Sequence, residues 1–365
     1  MKHDARILIT GAGGFIGGSL IESFFLNGFV NLRAGIRRWM SAPRIARFPV
    51  DVVQCDVLNP RQVELAVKDV DIIIHCAFGN RDVTTAGTEH LLKCALESGT
   101  KRVIHFSTTD VYGDAAGLVD EGSLLRKNGN AYSSSKVESE WICQEYVRRG
   151  LDIVVLRPTV VYGPFSRLWI TKFAERLTSG NWGLFGEFGD GTCNFVYIQD
   201  LVQAVFRAVQ SDTAPGDAFN IGGSESISWN DYFRIFNRLL GNAPLTELRQ
   251  SRAAMRSTVL DPARSVARFL LRNSGDALKK IYQSSQVARR VMKRMEYLLK
   301  TSPSRGELEQ FRRKVHYDIS KARSVLGYEP RFGIERGLSL SVRWLRHETG
   351  FRPTINDTQF QRGSE

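Results

Sequence analysis

No apolar run in this 365-residue chain reaches the ~18 residues that span a bilayer, which argues against a membrane-crossing helix. Met1-Lys2-His3-Asp4-Ala5-Arg6 leads straight into a strand-like run, so a signal peptide is not expected. Cysteine is scarce. Cys55, Cys76, Cys94, Cys143 and Cys193 lie among apolar residues without CxxC spacing, as buried free thiols do in a reducing compartment. The six histidines show no metal-ligand spacing either. A cytoplasmic protein without structural metal is expected. The chain also lacks a broad charge imbalance, although its net charge is +12. Residues 249–314 hold 17 Lys+Arg against 5 Asp+Glu, leaving 33 of each sign elsewhere. A global nucleic-acid surface is therefore excluded, and one basic segment needs its own explanation.

At 42% hydrophobic the chain has material for a full core, expected as two intertwined lobes. Its most informative stretch is Ile7-Leu8-Ile9-Thr10-Gly11-Ala12-Gly13-Gly14-Phe15-Ile16-Gly17. A β-branched and leucine run reads as a buried parallel strand. It breaks at glycines and resumes as a helix through Phe15, Ile16, Leu20, Phe24 and Phe25. Gly11, Gly14 and Gly17 suit a tight turn, close approach of backbone to a pyrophosphate, and close helix–strand packing. The helix N-terminus then offers N–H groups and a positive dipole end to phosphate oxygens. A purely structural glycine turn is the competing reading, but strand before and helix after favour a dinucleotide site.

Further strands are expected at 32–36, 50–54, 70–77, 103–107 and 153–156, with helices at 60–68, 89–98 and 131–149 between them. That alternation predicts a doubly wound parallel α/β sheet, with ligands beyond the carboxyl ends of its strands. Asp56 follows the third strand, where it could hydrogen-bond an adenine amino group; a turn or cap residue is the alternative. An NAD site usually carries an acid after the second strand. Here Ile36 is followed by Arg37 and Arg38, and arginine suits a ribose 2′-phosphate. NAD(P) is expected, with NADP favoured over NAD; Arg38 also fits a solvated surface.

Ser107-Thr108-Thr109-Asp110-Val111-Tyr112-Gly113 closes the fifth strand, and Tyr132-Ser133-Ser134-Ser135-Lys136 follows. Tyr132 and Lys136, four apart, share a helical face. A phenol with pKa ≈ 10 is a poor base near neutrality, and a neighbouring ammonium with an oxidised nicotinamide brings it towards the working range. Thr108 could hydrogen-bond the same substrate oxygen.

With these motifs the chain resembles the extended short-chain dehydrogenase/reductase superfamily, in particular the NAD-dependent epimerase/dehydratase group. Further landmarks are Cys55-Asp56-Val57, His75-Cys76-Ala77, Leu156-Arg157-Pro158, Tyr162-Gly163-Pro164, Phe195-Val196-Tyr197-Ile198 and Phe219-Asn220-Ile221-Gly222-Gly223. The resemblance implies a Rossmann-type domain over 1–165 and 196–223. It also implies a smaller intertwined substrate domain over 166–195 and 224–350, carrying a helical insertion at 249–314 and followed by a tail at 351–365. It makes Tyr132 the catalytic acid/base, Lys136 its activator and Thr108 the hydroxyl partner. It assigns the cofactor to Gly11, Gly14, Phe15, Ile16, Gly17, Arg37, Asp56, Val57, Ala77, Tyr132, Lys136 and Pro158. No metal is implied.

The implied chemistry is hydride transfer at a hydroxyl-bearing carbon of a sugar, nucleotide-linked, with a homodimer among the expected assemblies. Three departures matter. Val160 stands where sugar-nucleotide epimerases carry asparagine, Thr192-Cys193-Asn194 where an arginine is usual, and Thr109-Asp110 where dehydratases carry Asp-Glu. A hydroxysteroid-dehydrogenase-like or carbonyl reductase using NADP, and a non-catalytic dinucleotide-binding protein, stay open as alternatives.

Projected as a helix, residues 278–299 place Leu278, Ile281, Ala288, Met292, Met295 and Leu299 on one face and Lys279, Arg290, Lys293 and Arg294 opposite. Such a segment fits a packed helical lobe, a peripheral contact with an anionic membrane, or a lid bearing arginines for a diphosphate.

Overall fold

The computed structural model describes residues 4–127, 129–248, 260–262, 286–348 and 351. They fall into two units. One runs to Tyr162 and over Asn194–Glu225 and Val315–Gly333. The other takes Gly163–Cys193, the described residues between Ser226 and Lys314, and those from Ile334 onward.

In the first unit, β1 (Ile7–Thr10), α1 (Phe15–Leu26), β2 (Leu32–Ile36), β3 (Asp51–Gln54), α2 (Pro60–Val67) and β4 (Ile72–His75) follow one another. After these come α3 (Arg81–Thr84), α4 (Ala86–Glu97), β5 (Arg102–Phe106), β6 (Gly117–Val119), α5 (Ala131–Arg148), β7 (Ile153–Pro158) and β8 (Val160–Tyr162). The second unit contributes α6 (Lys172–Thr178) and β9 (Thr192–Cys193) before β10 (Phe195–Tyr197), α7 (Ile198–Gln210) and β11 (Ala218–Ile221) return to the first. Then β12 (Ile227–Ser228), α8 (Trp229–Leu240), α9 (Gln286–Thr301) and α10 (Arg305–Arg312) belong to the second unit. β13 (Val315–Tyr317) and α11 (Ser320–Leu326) belong to the first, and α12 (Ile334–Glu348) to the second.

Seven strands form one sheet in the order β11-β7-β5-β4-β1-β2-β3, every pair parallel. All residues of β1, β4 and β7 are buried, as a sheet covered on both faces demands. Helices α2, α4 and α5 pack side by side on one face, while α1 and α7 share the other, where Phe24 stacks on Phe206 at 4.0 Å. The chain runs outward from β1 through β2 to β3, then crosses to β4 and runs the other way. The switch point thus lies between β1 and β4, and it opens a crevice at their carboxyl ends.

The doubly wound α/β expectation is met, with shifts at element ends. The expected strand 70–77 is ladder-paired only over Ile72–His75, because Cys76 and Ala77 turn across the glycine loop. Helix α4 begins at Ala86, earlier than expected, and Gly87 sits where an added Cβ would lie 2.5 Å from Val57 Cγ2. The segment Val315–Gly333, assigned from sequence to the second lobe, groups with the first unit. Its β13 pairs in parallel with β6, and Tyr328 donates its hydroxyl proton to the Gly222 carbonyl at 2.7 Å. Of the expected helix 278–299, the described part is α9; the remainder, and the tail beyond residue 351, lie outside the described residues.

The second unit has an aromatic core. Phe173, Trp182, Phe185, Trp229, Phe233 and Phe311 meet at ring separations between 4.6 and 6.5 Å. Glu307 closes it off, accepting from Arg176 at 2.8 Å and Lys172 at 2.9 Å. Burial alone would raise the Glu307 pKa, but these two cations hold it at about 2. Among the described residues no helix is long and apolar enough to cross a membrane.

Below the carboxyl ends of β5 and β7 lies a buried ion pair. Arg157 donates to Glu140 from Nη2 at 2.7 Å and from Nε at 3.0 Å, with only 6% and 3% of the two side chains exposed. Ser107 Oγ also donates to Glu140, and Arg157 Nη1 reaches the Tyr112 hydroxyl at 2.9 Å. Tyr112 in turn donates to Asn220 Oδ1 at 2.7 Å. Removing one partner strands the other charge in the interior. A Glu140→Ala variant is therefore expected to lose about 3–5 kcal/mol of stability in urea unfolding, far beyond an exposed control such as Glu64→Ala.

Candidate active site

The crevice between β1 and β4 is built by glycines. Gly11 ends β1 at φ +66°, and a Cβ there would lie 2.9 Å from the Cys76 carbonyl oxygen. At Gly17 a Cβ would meet the Gly11 carbonyl oxygen at 2.4 Å, so only glycine lets α1 approach β1 this closely. Gly14 is exposed, with the Gly11 oxygen its nearest neighbour at 3.1 Å. Gly11 and Gly17 thus serve the tight turn and the close helix–strand packing that the spacing suggested.

Gly13 adds a fourth use that the spacing did not reveal. A Cβ on it would collide with Ser41 at 2.5 Å. Its only signal in the sequence is a glycine surplus to the repeat.

Asn59, Asn80 and Asn130 cap α2, α3 and α5 with their side chains, whereas α1 begins at Phe15 and Ile16 with no side-chain cap. An exposed glycine followed by an uncapped helix start fits an incoming phosphate. Across the crevice, Thr10 Oγ1 bonds His75 Nδ1 at 2.8 Å and accepts the Ala77 N–H at 3.2 Å, which fixes the strand end beside the loop.

Arg37 and Arg38 are exposed immediately after β2. Asp56 is half-buried, and its Oδ1 accepts the Leu58 N–H at 3.1 Å, the turn role that competed with adenine binding. Val57 is buried against Gly87, and Pro158 is buried at the end of β7.

Tyr132 stands in the first turn of α5, where the Asn130 side chain accepts its N–H at 2.9 Å. Thr108 lies just beyond β5, beside the Tyr132 phenol, where its hydroxyl favours the ionised phenol. Lys136 is one helical turn further on, and its Nζ donates to the Phe106 carbonyl at 2.6 Å. The structure therefore brings Thr108, Tyr132 and Lys136 together at the carboxyl end of β5. Burial lowers the Lys136 pKa to about 8. Burial, then the Asp110 carboxylate, push Tyr132 up to about 12 against the opposing Thr108 hydrogen bond. Lys136 Nζ is turned to the Phe106 carbonyl, so low dielectric and Asp110 set the direction of the Tyr132 shift.

Under Lys136 lie His75 and His105, ring centroids 5.6 Å apart and both buried. Burial, reinforced by the Lys136 charge, lowers His75 to about 3 and His105 well below its ordinary value, so both are neutral. No group of metal-ligating side chains occurs among the described residues.

Phe78 escaped the sequence reading. Its ring is 60% exposed, packs edge-on to Tyr132 at 5.2 Å, and has Lys136 Nζ 6.0 Å from its centroid. An aromatic directly after the His75-Cys76-Ala77 strand end was the available signal.

Val160 begins β8 and is half-buried, paired in register with Phe195. Cys193 is fully buried in β9 opposite Ile227. Asp110 sits in the 3-10 turn after Thr108, its carbonyl accepting from Ser133 Oγ at 2.8 Å.

The lowered Lys136 pKa has a measurable consequence. Between about 8 and the ordinary 10.5 the unfolded chain binds more protons at this residue, so the fold gains stability there as pH rises. A Lys136→Met variant lacks that gain. Thermal melts across the window are expected to show the wild-type-minus-variant difference moving in favour of wild type; a flat difference would mean that Lys136 keeps its ordinary pKa.

Comparison with known proteins gives the family. The family model described as "NAD dependent epimerase/dehydratase family" matches residues 7–222. UDP-glucose 4-epimerase of Vibrio cholerae is 26% identical over 253 residues, covering 64% of this chain and 75% of that protein. A 2-alkyl-3-oxoalkanoate reductase of Stenotrophomonas maltophilia is 25% identical over 352 residues, 91% of this chain and 97% of the reductase. UDP-glucuronic acid 4-epimerase from Bacillus cereus, solved in complex with NAD, shares the fold at a TM-score of 0.69 and 20% identity, over 93% of this chain and 98% of that one. The matched residues span more than half of the chain, from the glycine turn through the Tyr132–Lys136 helix, and this protein is an enzyme of the NAD-dependent epimerase/dehydratase family.

Proposed function

We propose that this enzyme transfers hydride at a hydroxyl-bearing carbon of a sugar-type, nucleotide-linked substrate, with Tyr132 as the acid/base. One observation carries the reading: the Tyr132 phenol lies beside Thr108, one helical turn from buried Lys136, at the carboxyl ends of the strands. A substrate oxygen placed between the two hydroxyls would exchange its proton with Tyr132 while Thr108 holds its orientation. With its pKa near 12, the phenol is neutral at physiological pH and is a proton donor to a carbonyl oxygen. To serve as a base towards an alcohol it needs added positive charge nearby. Lys136 supplies part of that charge below pH of about 8.

NAD(P) would supply the hydride acceptor or donor and, when oxidised, further positive charge. Gly11, Gly14, Gly17 and the first turn at Phe15 and Ile16 would hold its phosphates, with Asp56 and Val57 at the adenine. Ala77, Pro158, Tyr132 and Lys136 would take the nicotinamide end. Exposed Arg37 supports NADP, because a guanidinium matches a ribose 2′-phosphate.

A second reading, an NADP-dependent carbonyl reductase acting on a less polar substrate, has its own support. Phe78 offers an apolar ring beside Tyr132, Val160 replaces a polar residue, and the oxoalkanoate reductase aligns along 91% of this chain. Mass spectrometry of molecules retained through purification separates the two. Tightly held, non-exchanging NAD supports an epimerase of nucleotide sugars, and freely exchanging NADPH supports the reductase.

Two variants test the assignments. Tyr132→Phe is expected to lower kcat by roughly 10²–10⁴ on the identified substrate with the fold intact by circular dichroism; unchanged turnover would remove Tyr132 from the chemistry. Arg37→Ala should weaken NADP much more than NAD in calorimetric titrations, and equal losses would contradict the NADP preference.

A further inference from the structure

The reaction does not account for the basic segment, and its described helix is unusual. In α9, Arg290, Lys293 and Arg294 are all exposed, and so are Val291 at 57% and Met295 at 40%. Val291 and Met295 are four apart, as are Arg290 and Arg294, so an apolar strip runs alongside a basic one. Met292, Leu298 and Leu299 extend the apolar side and are half-buried. The only acidic residue of the helix is Glu296, which is paired with Lys300 at 2.6 Å.

The helix is tied to its unit at the C-terminal end. Tyr297 donates its hydroxyl proton to the Ser179 carbonyl at 3.1 Å, Asn181 Nδ2 donates to Thr301 Oγ1 at 3.0 Å, and Thr301 and Ser302 are buried. An anchored end with an exposed amphipathic body is a presenting geometry. Apolar side chains exposed on a surface helix are unfavourable in water, and adjoining arginines do not relieve them.

Charge decides which partner fits. Residues 249–314 hold the whole net positive charge of the chain, and the remainder is neutral. An anionic surface would be attracted to this segment. A nucleic acid would use the arginines but leave Val291 and Met295 in water. A bilayer bearing anionic headgroups accepts both, with side-chain methyls at the acyl boundary and guanidinium groups among the phosphates. We propose that α9 is a peripheral membrane-binding helix that holds this enzyme on anionic phospholipid. The proposal is independent of the substrate reading.

Co-sedimentation of the full chain with phosphatidylcholine vesicles, with and without phosphatidylserine, tests it. Binding only to the phosphatidylserine vesicles, weakened by added salt, is the expected result. The triple variant Arg290→Glu, Lys293→Glu, Arg294→Glu should bind them at least roughly a hundredfold less tightly, since each basic group lost near the headgroups costs about fivefold and each added carboxylate is repelled. The pair Val291→Ser, Met295→Ser should also weaken binding and leave more of the residual binding salt-sensitive. All five positions are exposed, and unchanged melting temperatures would verify folding. Absence of phosphatidylserine-dependent sedimentation by the wild type overturns the proposal without reference to any variant. It is equally overturned if the serine pair binds like wild type, the result expected if the arginines alone serve a polyanion such as duplex DNA.

Discussion

The buried Arg157–Glu140 pair holds the working end of this molecule together. Glu140 lies on α5, one turn beyond Lys136; Arg157 lies on β7; Ser107, which also donates to Glu140, precedes Thr108 in the chain. Through Tyr112 and Asn220 the same network reaches β11. The helix that carries Tyr132 and Lys136 is thereby fixed against the strand end that carries Thr108. A charge pair this deeply buried is a poor source of net stability compared with apolar packing, since both ions lose their hydration. Its value here is positional: bidentate guanidinium geometry permits few relative placements of α5 and β7.

Burial also sets the electrostatics of the site above this pair. It moves Lys136 and Tyr132 in opposite directions, the amine down to about 8 and the phenol up to about 12, and in both cases the neutral form gains. Neutral His75 and His105 beneath them bring no compensating charge. A phenol in this state gives up its proton only when positive charge arrives next to it.

The second unit follows different rules. Its core is made of stacked and edge-on aromatic rings sealed by Glu307 with Arg176 and Lys172, and it presents α9 outward from that rigid base. The strand-end chemistry of the first unit has no counterpart among its described residues.

Much was legible in the sequence because its causes are local. Alternation of apolar runs with helical patterns determined the doubly wound sheet, and the spacing of Gly11, Gly14 and Gly17 determined the turn, since φ and steric clearance are properties of a few neighbouring residues. The four-residue spacing of Tyr132 and Lys136 placed them on one helical face. Tertiary structure decided the rest. Gly13 faces Ser41, Phe78 packs on Tyr132, Val315–Gly333 joins the first unit, and Glu140 meets Arg157, all through contacts between residues far apart in the chain. The direction of the Tyr132 shift belongs to the same class. Proximity to a lysine is written in the spacing, but desolvation depends on everything packed around the phenol, and only the folded chain sets that.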